Sequence, residues 1–404
     1  MLRRPKGGAI NKRSVRDLDV KGKRVLVRVD FNVPVRDGQV TDDTRIRRAL
    51  PTIRHIISEG GRPILISHLG RPKGEPDPAY AMDPVAATLE ELLGERVLKL
   101  DEAIGPEVER ALDDWAGRGV VLLENSRFYP GETKNDPELS DQLASLADLY
   151  VDDAFGAAHR AHATTVGVAE RLPAAAGLLL EEEVDYLDGV LEDPERPFVA
   201  ILGGAKVSDK LGVIESLLRV ADTLLIGGAM CFTFFRAQGY EVGNSLVEDD
   251  YLEEAKRLTE EAGGKLVLPV DVIVADAMEE GAEARTVGVD EIPPEGMGLD
   301  IGPHSVGLFE ERISGARTIF WNGPMGVFEI EAFAGGTEGV ARAVAAAGER
   351  GATSVIGGGD SVAAVRKLSL EDEMSHISTG GGASLEYVEG KELPGVAALP
   401  EKGA

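Results

Sequence analysis

Short apolar runs alternate with longer amphipathic stretches along nearly the whole chain, and that alternation predicts strands and helices in turn. In the first half the strand-like runs fall near residues 24–29, 63–67, 120–123 and 149–151. In the second half they fall near residues 198–202, 223–226, 265–268, 318–321 and 354–356. Between such runs apolar residues recur at helical spacing, as in Ile46, Leu50, Ile53 and Ile57. Val/Ile/Leu-rich strands separated by helices predict parallel sheets covered on both faces, an α/β fold. Residues 181–192 carry Val184, Leu187 and Leu191 at helical spacing and end in a proline-bounded turn, 193–197, which reads as a hinge. No long internal repeat or low-complexity segment interrupts the pattern.

At 404 residues the chain exceeds what one core usually supports, so two domains are expected. A hydrophobic fraction of 43% supplies material for both, and no run approaches the ~20 apolar residues of a membrane span. Arg3, Arg4 and Lys6 are not followed by an apolar segment, so no secretory signal is expected. The single cysteine, Cys231, excludes an intramolecular disulfide, and its apolar surroundings predict an inert buried thiol. A soluble, cytoplasmic protein is the expectation.

The net charge of -27, from 70 acidic against 43 basic residues, adds a second expectation. Such a surface repels itself in dilute salt and tolerates concentrated salt, so it points to salt adaptation, with an acidic patch for a basic partner as the alternative. Basic residues form no stripe and aromatics are only 5%, which disfavours nucleic-acid binding.

Candidate chemistry sits where the strand-like runs end. The first run leaves the sheet at Asp30 and Asn32, and Arg45 heads the helical pattern that follows. Such a strand exit is where an open α/β sheet binds a polar ligand. Arg45, His68, Arg71, Arg127, His159, Arg160 and His162 mostly follow strand-like runs, so they gather at one rim. Arginine forks grip phosphate or carboxylate oxygens, which makes this an anion site; solvated surface charge is the plain alternative. His159 and His162 at i, i+3 spacing lack a carboxylate at zinc-ligand spacing, which argues against a metal there.

In the second half, residues 203–210, GGAKVSDK, follow a strand and open a helix. Glycines admit a phosphate to the backbone, and a helix N-terminus favours an anion. Lys206 and Lys210 lie one turn apart. Residues 357–361, GGGDS, repeat the device, with Asp360 available to Mg²⁺, and residues 379–382 supply a third glycine turn. A dinucleotide oxidoreductase is the rival reading, and the missing GxGxxG counts against it. A catalytically silent nucleotide-binding scaffold is the second rival.

Read as words, VDFNVP (29–34), DTRI (43–46), SHLGRP (67–72), LLENSRFYP (122–130), DAFGAAHRAH (153–162), RPFVAILGGAKVSDK (196–210), GLDIGP (298–303), WNGPMGVFE (321–329), GGGDS and STGGGASLE (378–386) resemble the phosphoglycerate kinase family, in order and over nearly the whole length. The resemblance implies two Rossmann-like domains with parallel sheets, joined by a hinge helix. Residues 1–180, completed by 392–404, would bind the acid substrate, 181–197 would form the hinge, and 198–391 would bind nucleotide. It implies reversible phosphoryl transfer between 1,3-bisphosphoglycerate and ADP, giving 3-phosphoglycerate and ATP, with Mg²⁺ and domain closure. Small molecules would be the only partners and the enzyme a monomer.

By the same resemblance, Asp30, Phe31, Asn32, Arg45, His68, Leu69, Gly70, Arg71, Arg127 and Arg160 would contact the acid substrate. Gly203, Ala205, Lys206, Lys210, Gly357, Gly358, Gly359, Asp360 and Ser361 would hold the nucleotide phosphates, with Asp360 on the metal. Gly227, Gly228, Gly298, Leu299, Asn322 and Pro324 would surround adenine, and Glu329 would take the ribose hydroxyls. Arg45, Lys206, Gly358 and Gly381 would serve catalysis. Ser126 stands where the family has a larger apolar or threonine-like residue, Asp152 where Asn is commoner, and Ser361 where Thr is frequent. Together with the charge, the resemblance leads us to expect a halophilic, archaeal-like source.

Overall fold

The computed structural model describes residues 10–115 and 117–403. Arg3, Arg4 and Lys6 lie outside the described residues. The chain divides into two compact units, one running to Val184 and resuming at Glu392, the other spanning Asp185–Lys391.

The first unit is built on a six-stranded, wholly parallel sheet. Its strands lie in the order Val97–Lys99, Val120–Leu122, Arg62–Ile66, Arg24–Arg28, Leu149–Asp152, Ala174–Ala176. Val25 and Val27 pack with Leu65, Leu122 and Val151 on one face of that sheet. Alternation sends Leu26 and Arg28 to the other face. The helix Thr44–Ser58 covers the first face with Ile46, Ala49, Leu50, Ile53 and Ile56, and the half-buried Ile57 packs against the same core, so the predicted stripe is right and Ile56 joins it. Because the helix begins at Thr44, Arg45 stands in its first turn, beside the strand exits. The two edge strands escaped sequence reading: Ala174–Ala176 has no intrinsic strand preference and is fixed by pairing with Leu149–Asp152. The chain from Glu392 onward packs on this unit, where Gly395 N–H donates to the Ala158 carbonyl at 2.8 Å and Arg13 N–H to that of Pro400 at 2.9 Å.

The second unit repeats the plan with a parallel sheet in the order Leu266–Val267, Thr223–Ile226, Phe198–Leu202, Thr318–Asn322, Thr353–Gly357, His376–Ile377. Its core joins Val199, Ile201, Ile319, Trp321 and Ile356 to Val340 and Val344 of the helix Gly335–Glu349. A separate antiparallel sheet, Arg285–Gly288, Asp271–Ala275, Met297–Ile301, was not anticipated. It adds to the two expected parallel sheets.

The helix expected to begin at residue 181 spans Leu178–Leu191, and the unit boundary falls inside it. Cys231 is buried, and burial raises its thiol pKa far above the ordinary value, leaving it inert. Among the described residues no helix is long and apolar enough to cross a membrane.

Candidate active site

In the first unit the strand exits are stitched into one rim. Asp30 pairs with Arg45 Nη1 at 3.1 Å, and the same nitrogen donates to the Asn32 carbonyl at 3.1 Å. Asn32 Oδ1 accepts the Gly70 N–H at 2.9 Å, and the Gly70 carbonyl accepts from Arg127 Nη1 at 2.7 Å. Asn125 closes the circuit, accepting from Leu69 and Arg127 N–H groups at 3.2 and 3.0 Å and donating to the Leu69 carbonyl at 2.8 Å. Four separate motifs therefore hold each other through backbone and side-chain groups, leaving arginine nitrogens and the Asn32 amide at the rim.

Beneath them lies a residue that sequence reasoning missed. Arg28 is 1% exposed, and its Nη2 meets His68 Nδ1 at 2.8 Å. A guanidinium only donates, so Nδ1 is the acceptor and the proton sits on the other nitrogen. Burial first, then the charges of Arg28, Arg127, Arg45 and His162, pull the His68 pKa well below its ordinary value. His162 falls to about 4 through burial and the charges of Arg28, Arg127 and Arg160. Both imidazoles are neutral at pH 7, so arginines carry the positive field. The signal available in the sequence was an Arg interrupting the apolar run 25–29.

Motif membership did not fix orientation. Phe31 is 0% exposed and Leu69 is buried beside it in the core, so any ligand contact from them is through backbone. Even the Phe31 N–H is already donated to Ser67 Oγ at 2.9 Å. Ser126 is buried and donates to Glu132 at 3.3 Å rather than facing the rim. Arg71 and Arg160 are exposed, and Arg160 Nε meets His159 Nε2 at 3.0 Å.

In the second unit the rim is mostly backbone. Gly203 N–H donates to the Asn322 carbonyl at 3.0 Å, Gly204 N–H to that of Pro324 at 2.9 Å, and Gly228 N–H to that of Met325 at 3.0 Å. The ends of three strands thus fuse into one glycine-lined floor. Gly358 has φ +86°, and a Cβ there would lie 2.8 Å from Asn322 Nδ2, so only glycine lets these loops approach. That Nδ2 is buried with no hydrogen-bond partner. Gly381, φ +53°, precedes the helix Gly382–Val388.

Lys206 and Lys210 do not share an environment. Lys206 is exposed, whereas the Lys210 ammonium donates to the Asn322 carbonyl at 3.1 Å and to its side-chain oxygen. Burial lowers the Lys210 pKa to about 8, against the opposing pull of Asp360 and Asp209. The helix expected to open within residues 203–210 starts at Leu211, after a tight turn at Ser208–Lys210. Glu248 braces that turn, accepting from Ser208 N–H at 3.0 Å and Oγ at 2.6 Å. Ala205 and Asp360 are exposed, Asp360 in the first turn of the helix Gly359–Lys367. Ser361 departs from expectation: it is 0% exposed and its Oγ accepts the Gly323 N–H at 2.6 Å, so it braces a loop instead of facing a ligand.

Gly298 and Leu299 lie on the antiparallel strand Met297–Ile301. The Leu299 side chain is buried with Ala275 and Phe333, which makes it part of a small core, while its carbonyl accepts the Val327 N–H at 2.9 Å. A Cβ on Gly298 would run into the Phe232 ring, on the helix Met230–Ala237 that follows Gly227 and Gly228. Glu329 is exposed and Pro324 half-buried.

A family model described as phosphoglycerate kinase matches residues 15–391. The phosphoglycerate kinase of Rubrobacter xylanophilus is 77% identical over 393 residues, 97% of this chain and 99% of that protein. That of Thermosipho africanus is 56% identical, covering 97% of this chain and 99% of that one. Among solved structures, phosphoglycerate kinase from Coxiella burnetii superposes with a TM-score of 0.86 at 43% identity, covering 96% and 98% of the two chains. The enzyme from Pyrococcus horikoshii gives 0.83 at 33% identity, again covering 96% and 98%. Both sequence relatives are bacterial, so the expectation of an archaeal-like source finds no support. Matched from end to end by sequence and by fold, the chain belongs to the phosphoglycerate kinase family.

Proposed function

We propose that this chain catalyses the family's glycolytic step, moving a phosphoryl group reversibly between 1,3-bisphosphoglycerate and ADP to give 3-phosphoglycerate and ATP. The observation that carries the reading is the interlocked rim of Arg28, Arg45, His68 and Arg127 in a chain whose net charge is -27. Local positive charge of that density, against so acidic a background, suits a small polyanion. Arg71, Arg127 and Arg160 grip the acid substrate, while Asp30 and the Asn32 amide receive its hydroxyl and carboxylate end.

In the direction of ATP use, a carboxylate oxygen of 3-phosphoglycerate attacks the terminal phosphorus in line, and the bond to the ADP oxygen breaks. No side chain at either rim is a poised nucleophile, so no covalent enzyme intermediate forms. Catalysis is then positioning and neutralisation of charge on the transferring oxygens. Arg45, released from Asp30, and the exposed Lys206 serve that charge, with N–H groups at Gly358–Gly359 and Gly381–Gly382. Lys210 and the unpartnered Asn322 Nδ2 hold the nucleotide phosphates. Gly227, Gly228, Gly298 and Pro324 form small walls for adenine, and Glu329 accepts from the ribose.

Mg²⁺ keeps several waters and takes one or two carboxylates plus substrate phosphates, so it needs no all-protein cage. Among the described residues no group of three or more His, Cys, Asp or Glu is arranged to hold a metal. The exposed Asp360, close enough to Lys210 to raise its pKa, fits a single-carboxylate site. Asp360 would hold Mg²⁺, which would supply positive charge to offset that of the nucleotide phosphates.

Direct transfer requires two substrates held by different units to meet, so the reaction proceeds through closure, which also shields the acyl phosphate from water. We further propose a cytoplasmic, monomeric enzyme adapted to salt. A coupled assay for 3-phosphoglycerate-dependent ATP consumption, run from dilute buffer to multimolar KCl, tests the whole reading. Absence of phosphotransfer alongside nicotinamide-cofactor oxidation would favour the oxidoreductase rival.

A further inference from the structure

The reading of the first-unit rim as the acid-substrate site leaves one buried acid without a task. Asp152 ends the strand Leu149–Asp152, is 0% exposed, and stands in register with Arg28 on the neighbouring strand. The shared register puts both side chains on the same face of the sheet. Asp152 Oδ1 accepts the Ala154 N–H at 2.9 Å, but its Oδ2 is buried with no donor. Arg28 Nε is likewise buried with no acceptor. Two orphaned atoms of opposite character, on in-register neighbours, sit directly beneath the rim.

We propose that Asp152 is a positioning residue that sets the charge of the Arg28–His68 pair, so that binding of the anionic acid substrate is coupled to uptake of a proton by this carboxyl group. Ionised, Asp152 offsets the Arg28 guanidinium, and the rim above it is less positive. Protonated, it leaves the full arginine charge to act through His68 on the substrate. Burial pushes the Asp152 pKa up to about 7, with Arg28 pulling down and Asp30 pushing up, so both forms are populated near neutrality.

The groups around it support that assignment. From its own segment come Tyr150 and Asp153, both with pKa values driven up by burial. The strand Arg24–Arg28 and its exit contribute Arg28 and Asp30. Glu132 acts on Tyr150 and His162 on His68, while the edge strand Ala174–Ala176 contributes only alanines. Arg28 is therefore the cation Asp152 faces, and no other acid acting on Asp152 is in register with it. The sign follows: substrate charge favours the protonated form, so affinity is full below the free pKa and is lost as pH rises through the bound one.

The test compares the intact protein with Asp152→Asn, which keeps the shape and removes the titration. At saturating ATP, the ratio of wild-type to variant KM for 3-phosphoglycerate should be near one at pH 6. It should rise roughly three- to tenfold by pH 8.5, with kcat unchanged; a tenfold rise means that the substrate lifts the carboxyl pKa by about one. Calorimetry of 3-phosphoglycerate binding near pH 7, in buffers of different ionisation enthalpy, should show more protons taken up by wild type than by the variant. Infrared difference spectra of the wild type alone should show carboxylate lost and protonated carboxyl gained on adding 3-phosphoglycerate. A KM ratio flat with pH and equal proton uptake would make Asp152 merely structural. An unchanged carboxyl spectrum would overturn the proposal even if the variant failed to fold. No binding of 3-phosphoglycerate at any pH would overturn the site reading as well.

Discussion

The two units solve anion recognition by opposite means. The first unit uses side chains: arginines anchored on carbonyls, an amide circuit through Asn32 and Asn125, and a neutral His68 clamped by Arg28. The second uses backbone, with glycines at strand exits donating to the carbonyls of a neighbouring strand end and the half-buried Lys210 among them. Side-chain charge fixes where an anion sits and survives small shifts of the chain. Backbone recognition needs close approach, which is why a single Cβ at Gly358 would disturb Asn322. A compact acid suits the first device, and a flexible polyphosphate that must be tracked along its length suits the second.

The division is broken most sharply at Arg45, which belongs to the side-chain rim yet is assigned to the transition state. Arg45→Ala should lower kcat by roughly the 10³–10⁵-fold associated with an arginine finger, with far less change in 3-phosphoglycerate affinity. Arg127→Ala should raise KM instead, and Arg45→Lys should rescue only partly because a point charge lacks the fork. Steady-state kinetics with direct titrations separate these outcomes. Near-normal kcat in Arg45→Ala would erase the distinction between grip and catalysis.

Asp360→Asn tests whether the metal belongs to the backbone rim alone. Losing a charged contact is worth about 1.5–3 kcal/mol, so Mg-nucleotide affinity should fall roughly tenfold to a hundredfold. Calorimetric 3-phosphoglycerate binding should not move, and equal loss of both would reassign Asp360.

pH separates the rims further. Lys210, with a pKa near 8, loses its charge as pH rises through that value, and a bound polyanion favours the charged form. Nucleotide affinity should then fall by up to about tenfold per pH unit above about 8, levelling off once pH passes the higher pKa of the bound state. Lys210→Arg should flatten that profile. His68 and His162 are already neutral, so they add no loss on the acid-substrate side over the same range. Their depressed pKa values instead contribute stability that is present above about 6.5 and lost on acidification below it.

Salt should have the smallest and least local effect. From ~0.1 M to multimolar KCl the screening length falls from about 10 Å to about 3 Å or less, relieving repulsion among exposed acids in both units. Melting temperature and turnover should rise together, while the buried Arg28–His68 pair stays insensitive. Maxima of both in dilute buffer would remove the salt-adapted reading.

Much of the second rim was legible because glycine runs after strands announce themselves, and paired lysines mark the loop. In the first rim the motif words supplied Asp30, Arg45, His68 and Arg127, but not Arg28. One arginine in an apolar run looks like a solvated edge until strands on both sides bury it. Phe31, Leu69 and Ser361 show the converse: they belong to functional words, yet their side chains face cores and loops.

The sequence by itself determined the alternation of strands and helices, the family, the excess of acid, and which segments carry arginines or glycines. Those are local properties of residue type and spacing. Only the tertiary structure decided which polar atoms remain without partners and which ionisable groups keep their charge. His68, Lys210 and Asp152 take their charge states from burial and from partners far away in the chain, and desolvation exists only once those segments have packed.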